Sequence, residues 1–434
     1  MSTLPHEIPG SSKTARNALV PDESDSHEAR GVDAQDPGAR SPASAGAHLH
    51  VVSVQTSGEL GGAEYANVEL LNALRAFGAN VALLGDQPML VAGTDVAFTG
   101  IDLGPKIKRS SLRRVVLGFL PWLRRLRRAL EHEARHQPID VTLLHFKKEQ
   151  LMSALLPRRL TGAVVWAEWG RLPVPLTHGP ARLCYLVAAK RAKLIVAVSE
   201  STRASLIEVG VPAAKVIVIN NIVDGSEVAF DAVARVAYRQ EWGVEDGTLV
   251  LGCVSRLNAA KRNDVIVDAM AYLPEDVVLV LAGDGDDETA LRARAAPYGE
   301  RVRFLPTPRG YVQKVLSACD LAVFAPQELE GAPRAIIFGQ LCERAVIASA
   351  PEGAKDMVVP GTGSIVTPAH DPRMLAACIE SYRADPERRV REGQAGRALA
   401  QSRYDRSAVV EAWFSQLSAL GGSDCLAPGL PIRA

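Results

Sequence analysis

The apolar positions of this chain fall into short continuous runs, separated by longer stretches with helical spacing. The first run, His48–Val54, is rich in β-branched residues. A glycine-rich turn follows, then a helical face carrying Val68, Leu71 and Leu74. The same alternation predicts strands at Asn80–Leu84, Val141–Phe146, Ala163–Trp169, Leu194–Ser199 and Lys215–Asn221. After a polar stretch come Leu249–Ser255, Val277–Gly283, Val302–Pro306, Leu321–Pro326, Ala345–Ser349 and Ser364–Thr367. Continuous apolar strands alternating with helices point to parallel sheets covered on both faces. Eleven or twelve strands exceed one compact sheet of this kind, and the apolar pattern lapses over Asp224–Val244. The expected fold is therefore α/β, with two doubly wound, Rossmann-like domains at 48–225 and 226–406.

Composition trims this picture at its edges. Residues 1–47 contain no Phe, Trp or Tyr and are rich in Ser, Ala, Pro, Asp and Gly, so they read as a disordered tail. Residues 421–434 read similarly. Hydrophobic residues make up 47% and charged residues 23%, ordinary values for a globular protein. Lys plus Arg equals Asp plus Glu at 49 each, so no global charge argues for a nucleic-acid partner. The six cysteines show no zinc or disulfide spacing and read as buried hydrophobes in a reducing compartment. There is no run of 18 uncharged apolar residues and no basic-then-apolar leader, which gives a cytoplasmic expectation.

In doubly wound sheets ligands bind beyond the carboxyl ends of the strands, so residues just after each strand carry the chemistry. After the first strand, Gly61 and Gly62 open a helix, where free N–H groups suit an anion, although an ordinary turn would look the same. After the first strand of the second half come Arg256 and Lys261, two cations five residues apart. They suit a diphosphate and the charge that builds on it as it leaves; two solvated charges are the plainer alternative. Further on, Glu330, Gly331, Ala332, Pro333 and Arg334 place a carboxylate beside a helix start, either to hold sugar hydroxyls or as a simple acidic cap.

These motifs occur in one order with Val198-Ser199-Glu200-Ser201, Asn221-Ile222-Val223-Asp224, Ala282-Gly283-Asp284-Gly285, Ala318-Cys319-Asp320-Leu321 and Gly361-Thr362-Gly363. In that order they resemble a family 4 glycosyltransferase of GT-B fold over roughly residues 48–420. The resemblance implies two domains facing across a cleft, with the last helix, 407–420, crossing back to the first. It implies a nucleoside-diphosphate sugar as donor, bound mainly by the second half, and transfer with retention of configuration. No cofactor and no metal would be required. Arg256 and Lys261 would hold the diphosphate and Glu330 the donor sugar, as catalytic residues. Gly61, Gly62, Gly331, Ala332 and Arg334 would complete donor binding.

The sequence also departs from this family. Phe338 stands where a second Glu usually binds ribose, and neither Gln340 nor Glu343 has the helical phase to replace it. Trp169 stands where a His is common, leaving Glu168, Trp169 and His178 as acceptor-side candidates, although Glu168 reads equally well as a strand-end carboxylate with a structural partner. Asp284-Gly285-Asp286 mimics a metal-binding Asp-x-Asp, but it follows a strand where this fold places a glycine-rich loop. The segment Lys106–Arg128 has nine basic residues and no acidic ones. It reads as a solvated basic face interrupted by Pro121, or else as a membrane-surface helix. The departures favour a small polar or specialised-metabolite acceptor, antibiotics among them. The alternatives are lipid-linked or polysaccharide assembly, a nucleotide-sugar epimerase, and a catalytically silent partner protein. A dinucleotide dehydrogenase is disfavoured, because no Gly-x-Gly-x-x-Gly follows the first strand.

Overall fold

The computed structural model describes residues 49–421, apart from 59–60, 106–111, 224, 226–227, 246, 307–309, 327–329 and 350–351. The expected tails, His48 and the start of the basic segment lie outside the described residues.

The first sheet contains β1 (His50–Gln55), β2 (Asn80–Gly85), β3 (Ala97–Gly100), β4 (Val141–Leu144), β5 (Ala163–Glu168), β6 (Leu194–Ala197) and β7 (Val216–Val218). Its order is β3-β2-β1-β4-β5-β6-β7. The second contains β8 (Leu249–Val254), β9 (Val277–Ala282), β10 (Val302–Leu305), β11 (Leu321–Phe324), β12 (Ala345–Ala348) and β13 (Gly363–Ile365), ordered β10-β9-β8-β11-β12-β13. Pairing is parallel in both. Two doubly wound α/β domains are thus present. Strand order reverses at β1 in one sheet and at β8 in the other. A crevice opens at such a reversal, and the loops leaving β1 and β8 carry Gly61–Gly62 and Arg256–Lys261.

The strands are mostly apolar because both faces are covered, and the polar side chains of β1 (His50, Ser53 and Gln55) are buried with them. Val52 and Val54 of β1 face one core cluster and Val51 faces another, as a two-residue period requires. The helix Arg406–Gly421 contributes Val409, Val410, Trp413 and Leu417 to the Val51 cluster, so the chain's last described helix packs on the first domain.

The sequence pattern overruns the strand ends. β4 stops at Leu144 rather than Phe146, β5 at Glu168 rather than Trp169, and the last strand of the first sheet spans only Val216–Val218. The pattern also misses β3, whose residues are half exposed at the sheet edge. Pro121 does not interrupt its segment: one helix, Leu112–His136, runs through it. Trp122, Leu126 and Leu130 turn into the core at four-residue spacing, while Leu117 and Leu120 stay exposed. Among the described residues no helix is long and apolar enough to cross a membrane.

Asp320, at the amino end of β11, anchors a buried ion cluster in the second domain. It pairs with Arg235 at 2.6 Å and Arg239 at 3.1 Å and accepts the Val250 N–H at 2.8 Å. Burial pushes its carboxyl up, but Arg235, the Val250 N–H and Arg239 more than reverse this and hold it below the ordinary carboxylate range.

Candidate active site

The loop after β8 is set by glycines beneath it. A side chain at Gly283 would collide with the Ser255 carbonyl, and one at Gly285 with the Leu257 carbonyl. The Leu257 N–H donates to the Asp284 carbonyl at 2.9 Å. The Asp284–Asp286 segment thus serves as a backbone support for the Arg256 loop. Among the described residues no group of three or more His, Cys, Asp and Glu side chains is arranged to hold a metal ion.

Lys261 and Glu330 meet directly, Nζ to Oε1 at 2.6 Å, and both are mostly shielded from solvent. Arg256 lies across from the first domain's glycine turn. Its Cζ is 3.7 Å from where a Cβ on Gly61 would stand, and Arg334 Cδ is 3.5 Å from the same point on Gly62. Gly61 thus stands beside the Arg256 guanidinium and Gly62 beside the aliphatic stem of Arg334. Arg334 also pairs with Glu69 of the helix Gly62–Ala76 at 3.0 Å, joining the two domains. Its guanidinium lies 5.2 Å from the centroid of Phe338, so that position presents a cation-covered ring instead of a carboxylate. Gln340 is buried and donates to the Met357 carbonyl, and Glu343 pairs with Arg397. Neither replaces the missing acid.

The Glu330–Gly331 segment rests on the end of β5. Gly170 and Glu330 form an isolated antiparallel bridge across the domains. A Cβ on Gly331 would lie 2.6 Å from the Trp169 carbonyl, 2.7 Å from Thr202 Oγ1 and 2.8 Å from Gly170 Cα. Only a hydrogen fits there. The Ala332 carbonyl accepts from Asn221 Nδ2 at 3.0 Å, and Asp356 accepts the Ser201 N–H at 2.8 Å, so strand-end loops of both domains interlock.

The acceptor-side candidates divide. Trp169 is half-buried against the cores of both domains. Glu168 is turned inward: it is 3% exposed, ion-paired with Lys147, and accepts the Tyr185 hydroxyl at 3.1 Å. Burial first, then the Glu168 charge, pushes the Tyr185 phenol well above its usual value. Glu168 is thus a structural carboxylate, because a buried charge needs partners. His178 precedes the helix Gly179–Ala189, and its Nδ1 bonds the adjacent Thr177 hydroxyl at 2.7 Å in an exposed setting.

Sequence reading missed the residues after β4. His145 Nδ1 accepts from Trp169 Nε1 at 3.0 Å, and its Nε2 meets Ser53 Oγ at 2.9 Å. Burial pulls His145 down to about 3. Glu149, fully buried, accepts the Thr56 N–H at 3.0 Å and the Thr56 hydroxyl on one oxygen. Its other oxygen has no partner among the described residues, nor do Gln55 Nε2 and both amide atoms of Gln150. Burial pushes Glu149 up to about 7, against the lowering effect of Lys148 and the Thr56 bonds. The signal available in the sequence was the run His145-Phe146-Lys147-Lys148-Glu149-Gln150, polar yet ending an apolar strand.

Two family profiles match the chain: "Glycosyltransferase Family 4" over residues 60–227 and "Glycosyl transferases group 1" over residues 235–399. Each covers one domain. The chain belongs to the family 4 glycosyltransferases. A D-inositol 3-phosphate glycosyltransferase of Xylanimonas cellulosilytica is 30% identical over 181 residues, 40% of this chain and 43% of that relative. The corresponding protein of Kineococcus radiotolerans is 26% identical over 82% of this chain and 89% of its own length. Among solved structures, Anabaena HepE in complex with UDP and glucose aligns with a TM-score of 0.73 at 21% identity. That alignment covers 86% of this chain and all of the other, a likeness of fold. This family 4 glycosyltransferase therefore has the GT-B arrangement.

Proposed function

We propose that this protein transfers a glycosyl residue from a nucleoside-diphosphate sugar to a small polar hydroxyl acceptor, retaining anomeric configuration and needing no metal ion. The observation that carries this reading is the Lys261–Glu330 pair beside Arg256, opposite the Gly61–Gly62 turn. Without donor, Glu330 and Lys261 neutralise each other. An arriving donor separates their tasks: sugar hydroxyls donate to Glu330, and the diphosphate takes Lys261 and Arg256. Negative charge grows on the diphosphate as the glycosidic bond breaks, so these cations act more strongly on the transition state than on bound donor.

Retention is supported by the state of Glu168. The carboxylate ending β5 is held by Lys147 and Tyr185 and is not poised as the base an inverting displacement requires. For the acceptor, the relatives named for D-inositol 3-phosphate make phosphorylated cyclitols the first class to try. Specialised metabolites bearing cyclitol-like polyols follow.

Thermal shift with UDP, GDP and dTDP identifies the nucleotide, since a ligand binding only the folded state raises the melting temperature by mass action. Arg256→Ala and Lys261→Ala should then each lower turnover on the order of 10²-fold with unchanged melting, the effect of losing one preorganised charge-stabilising group. Glu330→Ala should weaken both donor binding and rate. Full turnover in all three folded variants would sink the proposal. Excess EDTA should leave transfer intact, and proton NMR of the first product should show the donor's anomer.

A further inference from the structure

Trp169 is one of the residues through which the first domain touches the Glu330 segment, and its indole is tied down from behind. An indole N–H can only donate, so the 3.0 Å contact from Trp169 Nε1 requires an unprotonated Nδ1 on His145. The ring proton then sits on Nε2 and points at Ser53 Oγ, 2.9 Å away. Ser53 lies 3.0 Å from Asn67 Nδ2, and the Asn67 amide also donates to Gln55 Oε1. His145, Ser53, Asn67 and Gln55 are each at most 4% exposed, so the chain of bonds is anchored in β1 and in the helix Gly62–Ala76. The two rings lie nearly parallel, with an interplanar angle of 15° and centroids 5.8 Å apart. Burial keeps His145 neutral, with its value down at about 3, so the accepting nitrogen stays available at any working pH.

On its other side Trp169 touches the donor-domain segment through backbone. Its carbonyl closes against Gly331, and the next residue, Gly170, bridges Glu330. Packing this tight transmits a displacement instead of absorbing it.

We infer that His145 is a positioning residue. By accepting the indole proton of Trp169 it fixes the end of β5, on which the Glu330–Gly331 segment rests, and so holds Glu330 in register with Lys261. The effect on turnover rests on the proposed transferase reading; the mechanical link does not.

The test uses the full chain with His145→Leu, His145→Asn and Trp169→Phe. Leu removes both ring bonds. Asn places an oxygen near Nδ1 and keeps an acceptor for the indole. Phe keeps an aromatic ring and loses the donor. Two readouts stand apart from activity: the indole N–H resonance of Trp169 in a ¹⁵N spectrum, assigned by its loss in Trp169→Phe, and deuterium uptake by residues 330–341. His145→Leu should shift the resonance upfield and speed exchange in 330–341, Trp169→Phe should speed the same exchange, and His145→Asn should stay near wild type in both. Turnover in His145→Leu should fall at least about tenfold, since small misplacements of positioning groups cost up to about 10²-fold. Affinity for the nucleoside diphosphate should stay within about twofold, and Asn should restore most of the rate. Unchanged exchange at 330–341 in both His145→Leu and Trp169→Phe overturns the inference. So does wild-type turnover in a His145→Leu protein whose indole resonance has moved. A wild-type protein that transfers no sugar, yet shows the exchange pattern, refutes the proposed function and upholds the link.

Discussion

Asp320 and Glu149 are buried carboxylates of comparable depth, one in each domain, and their surroundings treat them in opposite ways. Asp320 precedes β11, at the amino edge of its sheet, and all its bonds are met by Arg235, Arg239 and the Val250 N–H. Glu149 follows β4, at the carboxyl edge, and one oxygen has no partner among the described residues, like neighbouring Gln55 Nε2 and Gln150. Satisfied charge marks the edge where the sheet only needs holding together. Incomplete satisfaction marks the edge where doubly wound sheets bind ligands.

The contrast breaks most visibly at Asp320. Asp320→Ala leaves Arg235 and Arg239 facing each other without a counter-charge, and should cost about 3–5 kcal/mol in urea unfolding. A cost below about 1 kcal/mol would show that the cluster is dispensable. A smaller effect comes from pH. Between 4.5 and about 7 the unfolded chain ionises Glu149 while the folded chain keeps its proton, so stability falls as pH rises through that window. The full difference is on the order of 3 kcal/mol. Glu149→Gln should therefore remove this loss, so that urea midpoints rise from pH 5 to pH 8 under the opposite effect of His145 alone. His145 works in the other sense: below 6.5 the unfolded chain gains a proton that the folded chain refuses until about 3, so stability falls with falling pH. His145→Asn should remove that acid-side loss. Both variants keeping the wild-type profile would refute these assignments. The smallest effect belongs to Gln150. Gln150→Met should be neutral or stabilising by roughly 1 kcal/mol, because it removes an unpaired buried amide. A clear loss would mean that the amide is satisfied in solution and that the two edges differ less than proposed.

The sequence makes the α/β class and its two-domain division readable because fully buried strands need continuous apolar runs, and β8 or β9 supplies little else. It also makes Arg256, Lys261 and Glu330 conspicuous as charges placed just after such runs. The layer behind them is not readable in this way. His145-Phe146 and Trp169 continue an apolar pattern past the true ends of β4 and β5, and periodicity alone cannot separate a strand's last residue from a buried loop's first. Their partnership spans 24 residues and that of Lys147 with Glu168 spans 21. Both exist because parallel pairing sets Leu144 beside Trp166, a long-range fact that no local window contains. Glu168 shows the same limit from the other side: a carboxylate at a strand end reads equally as chemistry or as a structural pair until Lys147 and Tyr185 are known.

Gly331 has a practical consequence. Since it has room for a hydrogen but not for a methyl against Trp169, Gly170 and Thr202, Gly331→Ala would act as a shim one carbon thick driven between the two lobes. Such a variant offers the crystallographer a propped-open form of the molecule, made without touching any charged group in the cleft.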